Sequence, residues 1–203
     1  MTDYFALLDE LRRLWIDPEQ LKSKFLTLSA RVHPDKIRTT IPPNQETVTR
    51  RFAELNSAFN CLREPGKRLR HLLQLELGAI PKEVHEIPSD LADLFVEIAQ
   101  LRQKVNAFLS ETAPIQSPLL RVKVFERAQE WIDRLRAVQQ NLANHQADLF
   151  QELKTLDADW LCSACDPVQR LVLLQRVEQI HQRLSFYARW NTQIQETLVQ
   201  LSL

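Results

Sequence analysis

The arrangement of apolar residues along the chain predicts helices almost everywhere. In the front third, apolar residues recur three or four positions apart, which places them on one side of a helix. One such segment follows Asp17-Pro18, where aspartate suits the N-cap and proline suits the first helical position. It ends before Pro34, because proline donates no backbone hydrogen bond and restricts the residue before it. The apolar side of this predicted helix consists of Leu21, Phe25, Leu28 and Val32.

Two further helices are predicted in the front of the chain. One spans about residues 44–63, and the other spans 67–77 and ends at Gly78, a residue type common after a helix C-terminus. We expect the first long helix and the 44–63 helix to pair antiparallel and to close their core on Phe25 and Phe59. The polar loop between them then projects from the open end of this hairpin. The apolar side of the 44–63 helix consists of Phe52, Leu55, Ala58, Phe59 and Leu62.

Three longer amphipathic segments follow a connector at residues 79–88, and they predict an antiparallel three-helix bundle over 89–203. The second segment begins at Ser117, and we expect it to break or bend near Asn144. The apolar sides of the three segments consist of Leu91, Leu94, Phe95, Ile98, Leu101, Val105 and Phe108 in the first, Phe125, Ala128, Ile132, Leu135 and Leu142 in the second, and Leu171, Leu174, Ile180, Leu184, Tyr187, Ile194, Leu198 and Leu201 in the third.

Composition supports an all-α fold and excludes several functional classes. The chain has only 2 glycines, which leaves little material for phosphate-binding loops, and it is rich in helix-forming residues. The 26 basic and 26 acidic residues balance, with a basic excess in the front and an acidic excess in the back, so no strong nucleic-acid-binding patch is expected. No apolar run approaches the ~18 residues that span a membrane. The 3 cysteines and the lack of a leader-like start predict reduced thiols in a cytoplasmic protein.

Four sequence runs occur in order in the front of the chain. They are Asp3-Tyr4-Phe5, His33-Pro34-Asp35-Lys36, the segment from Leu55 to Pro65, and Arg68-Leu69-Arg70-His71-Leu72-Leu73. Together they resemble the J domain of the HscB family, a DnaJ-like group of co-chaperones. The resemblance implies a J domain at residues 1–78 that stimulates ATP hydrolysis by a DnaK- or HscA-type chaperone. It also implies a protein that is not an enzyme, needs no cofactor, and delivers an iron–sulfur cluster scaffold protein to that chaperone.

The resemblance further implies which front residues bind the chaperone. Asp35 would pair with an arginine near the interdomain linker of the chaperone's ATPase domain. Pro34 would orient the loop, and His33 would shape the loop and contact the partner. Basic residues around the loop would steer it to the acidic surface of the chaperone. These basic residues are Lys22, Lys24, Arg31 and Lys36.

A second implied site lies on the first helix of the bundle, where the HscB family binds its scaffold through apolar and acidic residues. The apolar positions match, but Gln100 and Gln103 stand where glutamate is usual, and the family's aromatic position on the last helix falls near Leu173. The alternative is that these residues belong to the core, since the spacing of Phe95 from Leu91 is typical of a buried stripe. The implied scaffold-binding residues are Phe95, Val96, Ala99, Gln100, Gln103 and Leu173.

The pair Cys162 and Cys165 has the spacing found in zinc and redox motifs. A zinc site would need two further ligands, and the nearest histidines lie on separate predicted helices. A thioredoxin-like pair would need a βαβ context, so we expect ordinary side chains here and no metal site. Three alternative functions stay open: a J protein with another client, which the two glutamines favour, a thiol oxidoreductase, and a structural helical adaptor.

Overall fold

The computed structural model describes residues 2–32, 45–79, 81, 86–114, 117–163 and 166–202. No strand occurs within these ranges, and the predicted all-α fold is confirmed. The α-helices of the described residues are α1 (Tyr4–Leu7), α2 (Pro18–Arg31), α3 (Gln45–Leu62), α4 (Pro65–Leu77), α5 (Ala92–Thr112), α6 (Pro118–Cys162) and α7 (Pro167–Ser202), and a single 3₁₀ turn (Ser89–Leu91) precedes α5.

The residues predicted to cap the front helices set their ends. Asp17 accepts a hydrogen bond from the N–H of Gln20 at 2.9 Å, and Pro18 is the first residue of α2. Gly78 follows α4 with a φ of 68°, a left-handed conformation that residues with a side chain rarely adopt. Pro65 begins α4 two residues earlier than predicted, because the first helical position does not require an N–H.

The front core forms where α1, α2 and α4 each contact α3. The rings of Phe25 and Phe59 stack with their centroids 4.4 Å apart, which confirms that these two residues pair across α2 and α3. α1 has only four residues and is too short to be stable alone, so burial of Phe5 and Leu8 holds it in place. The buried apolar residues of these front helices and their connections are Phe5, Leu8, Leu14, Ile16, Leu21, Leu55, Ala58, Leu62, Leu69, Leu72 and Leu73.

The chain divides into two compact units. The front unit consists of residues 1–82 and 151–181, and the back unit consists of residues 83–150 and 182–203. The sequence-based division assigned all of residues 89–203 to the bundle, whereas part of α6 and part of α7 group with the front helices in the structure. The reason is a set of polar contacts that these parts of α6 and α7 make within the front unit, described below.

Within the back unit, α6 and α7 run antiparallel. Gln139 donates a side-chain hydrogen bond to Asn191 at 2.9 Å, and the ring of His145 lies 6.1 Å from that of Tyr187. Residues later in α6 therefore contact residues earlier in α7, as an antiparallel bundle requires.

The expected break of α6 near Asn144 and the expected burial of Phe125 are both wrong. The helix is continuous through Asn144, whose side-chain oxygen accepts a hydrogen bond from Gln140 one turn earlier at 3.1 Å, a contact that supports an exposed helix surface. Phe125 is 63% exposed instead of buried. The ring of Phe108 lies 6.5 Å from that of Trp131, and α5 ends about one turn after Phe108. The first turns of α6, which precede Trp131 and include Phe125, therefore have no part of α5 beside them.

Candidate functional sites

The residues that carry the J-domain resemblance most strongly lie outside the described residues. They are His33, Pro34, Asp35 and Lys36. The described part of this site is α2, which ends at Arg31 with the N–H of Val32 bonded to the carbonyl of Ser29 at 3.2 Å. The role of these four residues in binding the chaperone therefore stays a prediction.

The three predicted basic residues of α2 have different environments. Lys22 and Arg31 are exposed. The Lys24 ammonium donates to the Glu10 carboxylate at 2.5 Å and to the Asp9 carbonyl at 3.0 Å, so it holds α2 against the loop that follows α1. Lys24 and Arg31 lie about two turns apart on one side of α2, whereas Lys22 lies on the other side.

A buried carboxylate of α6 anchors the loop between α1 and α2. Oδ1 of Asp157 accepts the N–H of Leu14 at 2.8 Å and that of Trp15 at 2.9 Å, and Oδ2 accepts hydrogen bonds from the guanidinium of Arg13. Asp157 is only 5% exposed, and a carboxylate so buried is stable only when donors satisfy it. The loop that sets the starting point of α2 is thus fixed by a distant part of the sequence.

A second set of contacts joins the end of α6 and the start of α7 to the front helices. Nε1 of Trp160 donates to the carbonyl of Arg12 at 2.8 Å. The guanidinium carbon of Arg170 lies 3.3 Å from the centroid of the Trp160 ring, and Nη2 of Arg170 donates to the Glu76 carboxylate at 2.9 Å. Since Glu76 lies in the last turn of α4, these residues tie α4, α6 and α7 together within the front unit.

Two buried polar residues of α4 support the same loop and α1. Arg68 donates to the carbonyls of Leu14 at 3.2 Å and Leu62 at 2.8 Å, and burial lowers its pKa to about 10, so it stays a cation near neutral pH. Nε2 of His71 accepts the N–H of Tyr4 at 3.1 Å, and burial lowers the pKa of His71, which favours the neutral ring that can accept. The sequence placed both residues in a motif without assigning them a role, and their contacts indicate a structural one.

The predicted scaffold-binding residues of α5 are exposed. Phe95 is 42% exposed and Val96 is 48% exposed, so the expectation that Phe95 is part of the buried stripe is wrong. Leu94 and Ile98 supply the buried side of this part of the helix instead. The exposed residues, called the α5 strip below, are Phe95, Val96, Ala99, Gln100 and Gln103.

Leu173 belongs to the front unit, whereas the α5 strip belongs to the back unit. Leu173 is only 7% exposed. Leu171, which was expected on the buried side of α7, is 55% exposed, because residues two positions apart lie on nearly opposite sides of a helix. The sequence prediction missed the aromatic residue of α7 that lies beside the strip. This residue is Trp190, whose ring centroid is 6.3 Å from that of Phe95 and 5.7 Å from that of Phe186. The sequence shows an aromatic cluster within one turn of α7, but it does not indicate that Trp190 lies beside α5.

The cysteines do not form a metal or redox site among the described residues. Cys162 is exposed, Cys165 lies outside the described residues, and burial raises the pKa of the half-buried Cys61 thiol. Across the described ranges, no group of three or more His, Cys, Asp or Glu side chains is placed to hold a metal ion. No helix in those ranges combines the length and apolar character that crossing a membrane requires.

The fold just described, with short front helices followed by long antiparallel ones, is shared with known chaperones. No protein-family model matches the sequence. The solved structure of chaperone HscB from Vibrio cholerae has 19% sequence identity over 98% of this chain and 99% of that chain, with a TM-score of 0.63. The human co-chaperone protein HscB has 18% identity over 96% of this chain and 81% of that chain, with a TM-score of 0.55. The chain therefore has the fold of these HscB proteins over nearly its whole length.

Proposed function

We propose that this chain is an HscB-type co-chaperone. Residues 1–78 act as a J domain that stimulates ATP hydrolysis by a DnaK- or HscA-type chaperone. Residues 89–203, after the connector at 79–88, bind an iron–sulfur cluster scaffold protein and deliver it to that chaperone. The observation that carries the proposal is the ordered set of J-domain motifs on a chain that shares the HscB fold over 98% of its length. The two solved proteins are named chaperone and co-chaperone, which supports the same role here.

On the chaperone side, α2 presents basic residues and precedes the predicted His-Pro-Asp loop. The exposed cations of Lys22 and Arg31 would attract the acidic surface of the chaperone and bring Asp35 to its arginine. Asp17 caps α2, and Asp157 fixes the preceding loop, so α2 starts from a defined position. A fixed α2 would lose less conformational freedom when it binds the chaperone.

On the client side, the α5 strip offers an apolar anchor with uncharged polar neighbours. Phe95 and Val96 are exposed on a helix whose opposite side is buried, and the aromatic ring of Trp190 supports Phe95 from α7. Large side chains held on a rigid element are frequent hot spots of protein interfaces. Gln100 and Gln103 would supply hydrogen bonds to the scaffold protein without contributing charge.

The client half of the proposal is tested by ATP hydrolysis with the scaffold present. Single-turnover hydrolysis by the chaperone should rise when this protein is added and rise again when the purified iron–sulfur scaffold protein is added. Val96→Asp should remove the second increase and keep the first. Val122→Asp is a matched control, because Val122 is also exposed, and it should keep both increases. A wild-type protein whose stimulation is unaffected by the scaffold protein would refute the client assignment.

The second candidate function is a J-domain co-chaperone for another client of a general DnaK-type chaperone. Its support is specific, since Gln100 and Gln103 replace the acidic residues usual in the HscB pattern. In that case the same assay gives stimulation without any scaffold effect. Both functions would operate in the cytoplasm, where the cysteines stay reduced.

A further inference from the structure

A cleft between α5 and α6 opens next to the α5 strip. Its volume is about 340 Å³, and its lining includes polar and charged residues of both helices. Gln100 belongs to both the strip and the cleft, so a protein bound to the strip would reach the cleft with its adjacent side chains. This volume is at the lower end of the range for small-ligand pockets, which starts at ~300 Å³. It therefore suits one or two side chains and is too small for a helix or strand.

The charges in the cleft favour an anion. Lys104 and Arg134 line it together with a single carboxylate, that of Glu97. Both cations are exposed, and neither has a carboxylate within 4.0 Å among the residues that the structure describes. Two cations facing one anion leave a positive excess at the edge of the α5 strip.

One of the two cations is already held in place. The guanidinium carbon of Arg134 lies 4.9 Å from the centroid of the Trp131 ring, within the range of a cation–π contact. A guanidinium stacked on an aromatic ring keeps the N–H groups at its edge available, and these groups match the two oxygens of a carboxylate. Trp131 therefore prepares Arg134 to bind an acidic side chain with little further ordering.

We propose that this cleft binds an acidic side chain of the client protein, next to the apolar contact on the α5 strip. The inference rests on the proposed function and specifies its client: a scaffold protein that presents a carboxylate beside an apolar residue. Where the HscB pattern has glutamates at positions 100 and 103, this chain has glutamines, and cations stand beside them. Glutamines in place of carboxylates, with cations beside them, favour an acidic partner surface over a basic one.

The test is the affinity of the full-length chain for the purified iron–sulfur scaffold protein, measured by calorimetric titration at low and at high salt. Lys104→Glu and Arg134→Glu should each weaken binding by about tenfold at low salt, and the loss should shrink at high salt because salt screens exposed charges. Arg134→Lys should weaken binding less, since it keeps the charge and loses only the fork geometry. Arg136→Glu and Lys123→Glu are matched controls at exposed positions of α6 outside the cleft, and they should change the affinity by less than about twofold.

The outcomes separate this inference from the proposed function. If Val96→Asp abolishes binding while Lys104→Glu and Arg134→Glu leave both the affinity and its salt dependence unchanged, the cleft inference is overturned and the scaffold role stands. If the wild-type chain does not bind the scaffold protein, the proposed client and the inference fall together. If the cleft variants and the control variants weaken binding equally, the effect is one of overall charge, and the cleft inference is again overturned.

Discussion

Asp157 accepts the backbone N–H of Leu14 at 2.8 Å, although the two residues are 143 positions apart in the sequence. The same carboxylate accepts the N–H of Trp15 and binds the Arg13 guanidinium. A loop of the front helices is therefore completed by a residue near the end of α6. This relationship is one of the contacts that join residues 151–181 to residues 1–82 in the front unit.

Replacing Asp157 should destabilise the protein. In Asp157→Ala the buried N–H of Leu14 and the guanidinium of Arg13 lose their acceptor, and we expect a loss of about 3 kcal/mol in the free energy of unfolding. Urea denaturation of the full-length chain measures this loss. Asp159→Ala, two residues away and exposed, should change the free energy by less than about 0.5 kcal/mol. Equal stability of the two variants would contradict the anchoring role.

Replacing Arg170 by lysine should destabilise the protein. An ammonium cannot stack on Trp160 and bind the Glu76 carboxylate through two nitrogens as the guanidinium does. We expect Arg170→Lys to lower the free energy of unfolding by about 1–2 kcal/mol in the same urea experiment. The control is Arg136→Lys on the exposed surface of α6, which should be nearly neutral. If Arg170→Lys is equally neutral, the stacked geometry contributes nothing to stability.

Stability should fall as the pH is lowered from about 7.5 to 5.5. Burial lowers the pKa values of His71 and His181 below the ordinary histidine value of 6.5, so the unfolded chain takes up these protons at a higher pH than the folded chain does. The contribution of the two neutral histidines to the free energy of unfolding is fully present above pH 6.5. It is lost as the pH falls toward their pKa values in the folded chain. In His71→Gln, the side-chain oxygen can still accept the N–H of Tyr4 but no longer titrates. The urea midpoint of this variant should depend less on pH than that of the wild-type chain. The double variant with His181→Gln should show a still weaker pH dependence. An unchanged pH dependence in the double variant would exclude these histidines as its source.

The basic residues of α2 should affect the rate of association with the chaperone more than the rate of dissociation. Lys22→Glu and Arg31→Glu should slow association by about tenfold at low salt, with a smaller effect at high salt. Lys24→Glu should in addition lower stability, because Lys24 binds the Glu10 carboxylate. Stopped-flow association with the chaperone measures the rates, and Lys123→Glu in the back unit is the control. Association rates of the α2 variants that match the control would contradict this docking role.

The sequence predicted the local features of the fold well, because local residues determine them. The cap at Asp17 and the left-handed Gly78 set helix ends as expected. The pairing of Phe25 with Phe59 was also predicted, because consecutive helices joined by one loop pack antiparallel with their apolar sides together. Contacts between the front helices and α6 were not predictable in this way. Nothing near Asp157 in the sequence indicates that it accepts the N–H of Leu14.

The same distinction holds for the candidate client site. The residues of the α5 strip could be located from one short motif, but their exposure depends on which neighbours cover the helix. The spacing of Phe95 fits a buried stripe, yet Leu94 and Ile98 occupy the buried side. Trp190 could not be assigned to the site from the sequence, because its closeness to Phe95 arises only when α5 and α7 pack in the back unit.

The most direct test of the central proposal is single-turnover ATP hydrolysis by the host's DnaK-type chaperones, with the wild-type chain, His33→Gln and the control His145→Gln. His145 is an exposed histidine of α6 in the back unit, so its replacement changes the same residue type away from the predicted loop. We predict that the wild-type chain and His145→Gln accelerate hydrolysis by one of these chaperones and that His33→Gln does not. Failure of the wild-type chain to accelerate any of them, or full stimulation by His33→Gln, would contradict the assignment as a J-domain co-chaperone.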